Sequence, residues 1–223
     1  MMQRKPKGVK DAQFVSNKHD WDDDHYKRMI GTSTASTVFG TAFMLTDDHI
    51  DDIIALGSPV CKGLTQFISK HPDVSYGSPP GGAQLLTTDA VVRLAKACPN
   101  LRIVQLQATC LIADKGLLGL FKYCPNLTLV EVTGPSRGGS KTVSGEALDE
   151  LRENPQWAPK LKMLILGDTN GKEFMKAMRA LTKEREKLVV RLLQRSEEKN
   201  YGDWDLEESA TDYQKGRKKP AKW

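Results

Sequence analysis

Two neighbouring stretches of the chain share one pattern of apolar and polar positions. Residues 87–106 and 112–132 each begin with apolar residues at i, i+3 and i+4, the spacing of an amphipathic helix. A turn marked by proline follows, and then a short strand in which apolar and polar residues alternate. The block Cys98-Pro99-Asn100-Leu101 recurs as Cys124-Pro125-Asn126-Leu127. The pattern therefore predicts an internal repeat of one helix and one strand.

The same unit continues on both sides of this pair. Downstream, residues 145–166 and 173–193 again pair a helical apolar face with an alternating strand. Upstream, residues 63–74 align with residues 116–127, which predicts a helix and then a turn at His71-Pro72, and residues 45–56 predict a further helix. The predicted inward-facing strand pairs are Val104/Leu106, Val130/Val132, Leu164/Leu166 and Val190/Leu192.

A strand–helix unit of this size cannot bury its apolar face alone, so the units must stack. We therefore predict an α/β solenoid of about four to five repeats over residues 41–194, with short parallel strands on the concave face and helices on the convex face. The flanks are more polar. Residues 1–40 are predicted to be a poorly ordered N-terminal segment, and residues 195–223 a disordered tail that is acidic and then basic.

The motif CPNLRIVQLQATCLIADKGLLGLFKYCPNL resembles the cysteine-containing class of leucine-rich repeats. It departs from that class at Cys110, which falls one residue late, and at Ala113, where the class has threonine. The class is best known from the repeat domains of F-box adaptors, so the resemblance implies a substrate-recognition component of a ubiquitin ligase. No F-box pattern is visible before residue 45. A standalone scaffold or regulatory subunit unrelated to ubiquitin is therefore the alternative.

The predicted concave face carries the candidate partner-binding residues. Side chains alternate along a strand, so the residues between the inward ones point to this face. They form two rows, which are Ile103, Leu129, Met163 and Val189, and Gln105, Glu131, Ile165 and Arg191. The first row is apolar throughout, and an apolar row of this length is typical of a surface that a partner or the chain's own ends cover.

A glycine-rich loop at residues 133–145 superficially resembles a phosphate-binding loop. Two of its glycines have the required spacing, but Ser140 separates the second glycine from Lys141, which moves the lysine out of register. The extra length of this repeat falls mainly in the same loop. We therefore predict a surface insertion, with Arg137 and Lys141 as candidate partner contacts and no bound nucleotide.

Composition narrows the possible partners and the expected cellular location. The formal net charge of +5 is mild, so nucleic acid is a less favoured partner than protein, and the basic residues between 215 and 222 are the feature that keeps it as an alternative. The four cysteines show neither zinc spacing nor a disulfide framework, and no run is apolar enough to span a membrane. We expect a cytoplasmic or nuclear protein without a membrane association.

No constellation of side chains predicts catalysis or a cofactor. The run HDWDDDHY at residues 19–26 is rich in metal-ligand types, but we interpret it as an exposed acidic segment rather than a metal site. Cys98 and Cys124 occupy equivalent places in adjacent repeats and are predicted to be buried. The sequence thus predicts a non-catalytic protein-recognition module, with a nucleic-acid-associated factor that uses the basic tail as a further alternative.

Overall fold

The computed structural model describes residues 6–70, 81–135, 143–167, 171–200 and 203–221. One sheet of nine strands runs through this part of the chain. The strands are β1 (Asp11–Phe14), β2 (Ser36–Phe39), β3 (Gln66–Ser69), β4 (Ile103–Leu106), β5 (Leu129–Val132), β6 (Met163–Gly167), β7 (Val189–Asn200), β8 (Asp203–Gln214) and β9 (Arg217–Pro220). The helices are a short π-helix (Lys18–Asp22), α1 (Tyr26–Met29), α2 (Asp47–Ala55), α3 (Ser58–Gly63), α4 (Thr88–Ala97), α5 (Asp114–Tyr123), α6 (Glu146–Glu153) and α7 (Lys172–Glu184).

The strands lie in the sheet in the order in which they occur in the chain. β1 to β7 are parallel, and β8 and β9 continue the sheet as antiparallel strands. Connections between adjacent parallel strands are right-handed almost without exception, and these all advance in one direction along the sheet. The helices between the parallel strands therefore form a single layer on one face, and none of the described helices covers the opposite face.

Burial along the strands agrees with this arrangement. The eight inward strand residues predicted from the sequence face the helices, and none of them is more than 4% exposed. The helices contribute matching apolar stripes, such as Phe174, Ala177, Met178 and Leu181 of α7. No helix in the described ranges is long and apolar enough to cross a bilayer.

The predicted burial of the repeat cysteines is confirmed, and the structure gives a reason for this residue type. Cys98 and Cys124 end α4 and α5, and both are fully buried. The Sγ atom of Cys124 lies 3.6 Å from the carbonyl oxygens of Ala95 and Cys98, to which the thiol donates weakly. Burial raises the pKa of Cys124 to about 12. These thiols are therefore small core groups that help to satisfy the carbonyls at the end of a neighbouring helix.

The helix predicted at residues 45–56 is confirmed by α2, but the repeat register predicted for residues 63–70 is wrong. The segment expected to be a helix at residues 63–70 contains β3, which pairs with β2 and β4, and the helices of this unit are α2 and α3. Cys61 lies within α3, two residues before its end, and its Sγ lies 3.7 Å from the carbonyl oxygen of Ile53. The predicted turn at His71-Pro72 lies outside the described residues.

The poorly ordered segment expected at residues 1–40 is also wrong for the described residues from 6 onwards. β1 and β2 extend the sheet, and an aromatic cluster closes this end of the core. The rings of Trp21 and Tyr26 stack at 4.2 Å, those of Phe14 and Phe39 at 5.3 Å, and the indole of Trp21 donates to Asp52 over 2.8 Å. Composition hides this cap because its buried aromatic residues are scattered among charged ones.

His49 of α2 lies beside this cluster in surroundings that favour the neutral imidazole. Its Nδ1 accepts from the Thr46 amide over 2.9 Å, and its Nε2 lies 3.1 Å from the Asn17 side-chain nitrogen. That nitrogen is fixed because the Asn17 side chain also bonds both backbone groups of Met44. Burial lowers the pKa of His49, against the opposing effects of the carboxylates of Asp52, Asp48 and Asp22.

We expect the free energy of unfolding to fall as the pH drops below about 6.5, the ordinary pKa of histidine. The unfolded chain protonates this residue in that range while the folded chain resists it, so acid favours unfolding. Urea denaturation at several pH values measures the slope in the wild type and in His49→Gln. The variant should lose stability but show a shallower dependence on pH, and an identical slope in both proteins would contradict the assignment.

The disordered tail expected at residues 195–223 is wrong for residues 195–200 and 203–221, which the structure places in strands and a turn. β7 is 12 residues long and pairs with the equally long β8, and β9 pairs with the end of β8. Leu193 and Tyr213 are 7% and 6% exposed. Cross-strand pairing and the burial of these side chains stabilise a segment whose composition alone is typical of disorder.

Candidate functional site on the open face of the sheet

The face of the sheet opposite the helices, which we call the open face, contains the residues predicted as a partner site. The strand register aligns Ile103, Leu129, Met163 and Val189 in one row. It aligns Gln105, Glu131, Ile165 and Arg191 in the next row. The two predicted rows are therefore present in the predicted register, and their role in binding a partner stays a prediction.

The first row, which we call the apolar row, consists of four partly exposed aliphatic side chains. Its members are Ile103, Leu129, Met163 and Val189. Arg102 and Lys162 immediately precede β4 and β6, at the amino-terminal edge of the sheet, and both are exposed. The apolar row therefore offers a hydrophobic surface, and two basic residues lie at the adjoining edge of the sheet.

The second row contains a buried carboxylate that the sequence had placed on the surface. Glu131 is 3% exposed. Its carboxylate accepts hydrogen bonds from the side-chain amides of Gln105 over 2.7 Å and Gln107 over 2.9 Å, and from the Thr133 hydroxyl over 3.3 Å. Because a buried carboxylate is costly unless it is paired and hydrogen-bonded, these neighbours explain how the charge is tolerated.

Arg195 completes the environment of Glu131 from a distant part of the chain. β6 ends at Gly167, which pairs with Leu193, so Arg195 lies two residues beyond the last pairing between β6 and β7. Its guanidinium donates to Thr133 over 2.8 Å, approaches the Glu131 carboxylate at 3.5 Å, and donates to Glu208 over 2.5 Å. We call these residues the Glu131 cluster: Gln105, Gln107, Glu131, Thr133, Arg195 and Glu208.

Arg191 also has an internal partner. Its guanidinium makes two hydrogen bonds to the carboxylate of Asp212, at 2.7 and 3.0 Å, and the two side chains are only 12% and 11% exposed. The hydrogen bond to Asp212 raises the pKa of Arg191. This pair joins β7 to β8. Among the eight predicted partner residues, the two charged ones are thus engaged within the protein, and the apolar row together with Ile165 remains for a partner.

The remaining candidate sites from the sequence are the loop at residues 133–145 and the acidic run at residues 19–26. Arg137 and Lys141 lie outside the described residues. Within the ranges that the structure describes, no group of three or more His, Cys, Asp or Glu side chains could hold a metal ion. The acidic run at residues 19–26 contributes the π-helix and the buried rings of Trp21 and Tyr26. The open face therefore offers apolar contact and hydrogen bonding.

Comparison with known proteins assigns neither a family nor a function to the chain. No family model matches the chain, and no curated protein sequence matches it significantly. The case for a function therefore depends on the geometry of the open face and on the sequence pattern that produces it.

Proposed function

We propose that this protein is a non-catalytic recognition module that binds a protein partner through the apolar row. The observation that carries the proposal is the alignment of four partly exposed aliphatic side chains on four adjacent strands. The neighbouring charged groups of the second row are paired internally, so apolar burial is the main favourable term available for binding. Arg102 and Lys162 favour a partner segment in which apolar residues are accompanied by carboxylates.

We further propose that the fold is a small solenoid of cysteine-type leucine-rich repeats. The sequential parallel strands, the single helix layer and the recurrence of Cys-Pro-Asn-Leu at the ends of α4 and α5 support this classification. Solenoids of this kind commonly bind partners on the extended face lined by their strands. The free thiols of all four cysteines fit a cytoplasmic or nuclear location, which is part of the same proposal.

A link to ubiquitin ligases rests on the sequence resemblance alone. β1 and β2 commit residues 11–14 and 36–39 to the sheet, so this stretch is not available to form an F-box. We therefore place a scaffold or regulatory subunit ahead of an F-box-type adaptor. Capture of the small adaptor protein that binds F-boxes by the full chain would reverse that order.

A nucleic-acid-associated role is the second candidate, and one observation favours it. All four residues of β9 are exposed, and three of them are basic: Arg217, Lys218 and Lys219. Phosphate contacts by such residues would give affinity that falls steeply with salt. Filter binding of RNA and duplex DNA at two salt concentrations, with a triple glutamine variant of β9 as control, separates this candidate from protein recognition.

Substitutions on the apolar row test the main proposal. We expect the double variant Leu129→Glu/Met163→Glu to lose at least tenfold of the affinity for a partner recovered with the wild type, because two buried charges would oppose the apolar contact. Lys176→Glu, an exposed change on the helix layer, should bind normally. Affinity capture followed by titration with the purified partner measures the difference. Equal binding by all three proteins would exclude the apolar row as the binding surface.

A further inference from the structure

A second site lies on the other side of the sheet, between its C-terminal strands and α7. A cavity of about 140 Å³ opens there beside Met175, in the first turn of α7, and Leu192 of β7. Its remaining lining is polar and consists of Gln194, Ser209, Thr211, Tyr213 and Lys218. Water occupies about 30 Å³ per molecule in the liquid, so this space has room for a few waters or one small polar ligand.

The strand register explains why these side chains converge. Gln194 pairs with Ser209 and Leu192 with Thr211 across β7 and β8, and Tyr213 pairs with Lys218 across β8 and β9. Side chains alternate along strands, so these residues share the face that buries Val190 against the helices. The helix-facing side of the sheet therefore changes from aliphatic to hydrogen-bonding residues at the cavity.

Five polar side chains line this cavity, and one of them is buried. Tyr213 is only 6% exposed, and its hydroxyl has no hydrogen-bond partner among the described residues. Gln194, Ser209 and Lys218 border the same space and are exposed, and Thr211 is partly exposed. Only Tyr213 is buried among the five; a buried tyrosine hydroxyl normally has a hydrogen-bond partner, so its place in the lining of this space indicates a polar occupant.

The charge of the lining selects the class of occupant. Among the described residues, Lys218 is the one ionised side chain of the lining, and none of them places a carboxylate there. The amino end of α7, where the helix dipole is positive, lies on the same side as Met175. Three hydroxyls, an amide and an ammonium group together supply donors suited to a small anion with several acceptor oxygens.

We propose that this cavity binds a phosphate group, either as free inorganic phosphate or as a phosphate monoester. Hydroxyl and amide donors would bond its oxygens, and Lys218 would supply the opposing charge. A nucleoside does not fit in the available volume, so the recognised chemistry is the phosphate itself. This proposal is independent of the partner proposed for the open face, because it uses the opposite face of the sheet.

Calorimetry and ³¹P NMR titrations of the full chain test the site with inorganic phosphate and with O-phosphoserine, against chloride at equal ionic strength. We expect saturable binding in the millimolar range or tighter, and at least a tenfold loss in Tyr213→Phe, because a hydrogen bond to a charged group is removed without a change of shape. Lys218→Gln, an exposed change that leaves the core untouched, should cause a comparable loss.

Lys219→Gln is the matched control. Lys219 is the next residue of β9, and its ammonium group donates to Gln214 over 2.8 Å outside the cavity. Its loss should leave phosphate binding unchanged. Tighter binding of O-phosphoserine would assign the site to a phosphate monoester, and tighter binding of inorganic phosphate would assign it to the free ion. Absence of saturation, or equal binding by the wild type and Lys218→Gln, would overturn the proposal and leave water as the occupant.

Discussion

Replacing Glu131 by alanine should lower the free energy of unfolding by about 3–5 kcal/mol, the range measured when one partner of a buried ion pair is removed. The side chains of Arg195 and Glu131 are only 7% and 4% exposed, so water cannot easily replace the lost carboxylate. The amides of Gln105 and Gln107 lose the same acceptor. Urea denaturation followed by far-ultraviolet circular dichroism measures the change.

A double substitution separates the cost of removing one charge from the value of the pair, since in Glu131→Ala the guanidinium of Arg195 keeps only the partly exposed carboxylate of Glu208. Glu131→Met/Arg195→Met removes both charges and keeps apolar volume, so we expect it to be less destabilised than Glu131→Ala. Glu131→Ala should also release the segment of β7 beyond Leu193, which hydrogen exchange of its amides would detect. A loss below about 1 kcal/mol in the alanine variant would be typical of an exposed ion pair, and it would contradict a stabilising role for the buried Glu131 cluster.

Replacing Arg185 by alanine should lower the free energy of unfolding by about 2–3 kcal/mol, since charged hydrogen bonds contribute more than neutral ones. Arg185 follows α7, and its guanidinium donates to the carbonyl oxygens of Leu151 over 2.7 Å and Asn154 over 3.0 Å. It also donates to the carbonyls of Trp157 and Ala158. These carbonyls belong to the end of α6 and the turn that follows, where helices lack internal partners.

Arg152 is the matched control for that variant. It faces three carboxylates, Asp149, Glu153 and Glu184, but these are 51–63% exposed, and such pairs contribute about 1 kcal/mol or less. Burial lowers the pKa of Arg185, yet the guanidinium still carries its charge at neutral pH. We therefore expect Arg152→Ala to be nearly neutral in thermal and urea denaturation. Equal losses in the two variants would show that Arg185 is not a structural cap.

The strands from β4 to β7 could be predicted from the sequence because each carries its own local signal. Alternation fixes which residues face inward, and the recurrence of Cys-Pro-Asn-Leu fixes the register between β4 and β5. The apolar row follows directly from the same alternation. These features depend on residues close together in the chain, where periodicity is informative.

The remaining features depend on contacts between residues far apart in the chain. Arg195 approaches Glu131 across 64 positions, and no local pattern predicts that approach. The strands β8 and β9 are stabilised by antiparallel pairing that composition does not reveal. The sequence pattern misaligns the unit before β4, because the strand sequence QFIS contains apolar residues that also fit a helical pattern. The polar cavity beside α7 could not be foreseen, because its lining comes from three strands and a helix.

The organisation of the molecule assigns different roles to the two rows of the open face. The second row is largely structural, since Glu131 and Arg191 hold the C-terminal strands to the parallel part of the sheet through Arg195 and Asp212. The apolar row has no such internal role beyond its own strand contacts. Selection of a partner would therefore depend on shape and apolar complementarity, with Arg102 and Lys162 contributing orientation.

A photoreactive residue placed at position 163 tests the central claim, that the apolar row contacts a protein partner, most directly. Irradiation of the full chain in a cell extract should join a discrete partner to position 163, and Leu129→Glu in the same chain should abolish the product. The same residue at position 176, on the exposed side of α7, should give no such product. A product of equal yield from position 176, or one that survives Leu129→Glu, would contradict the account.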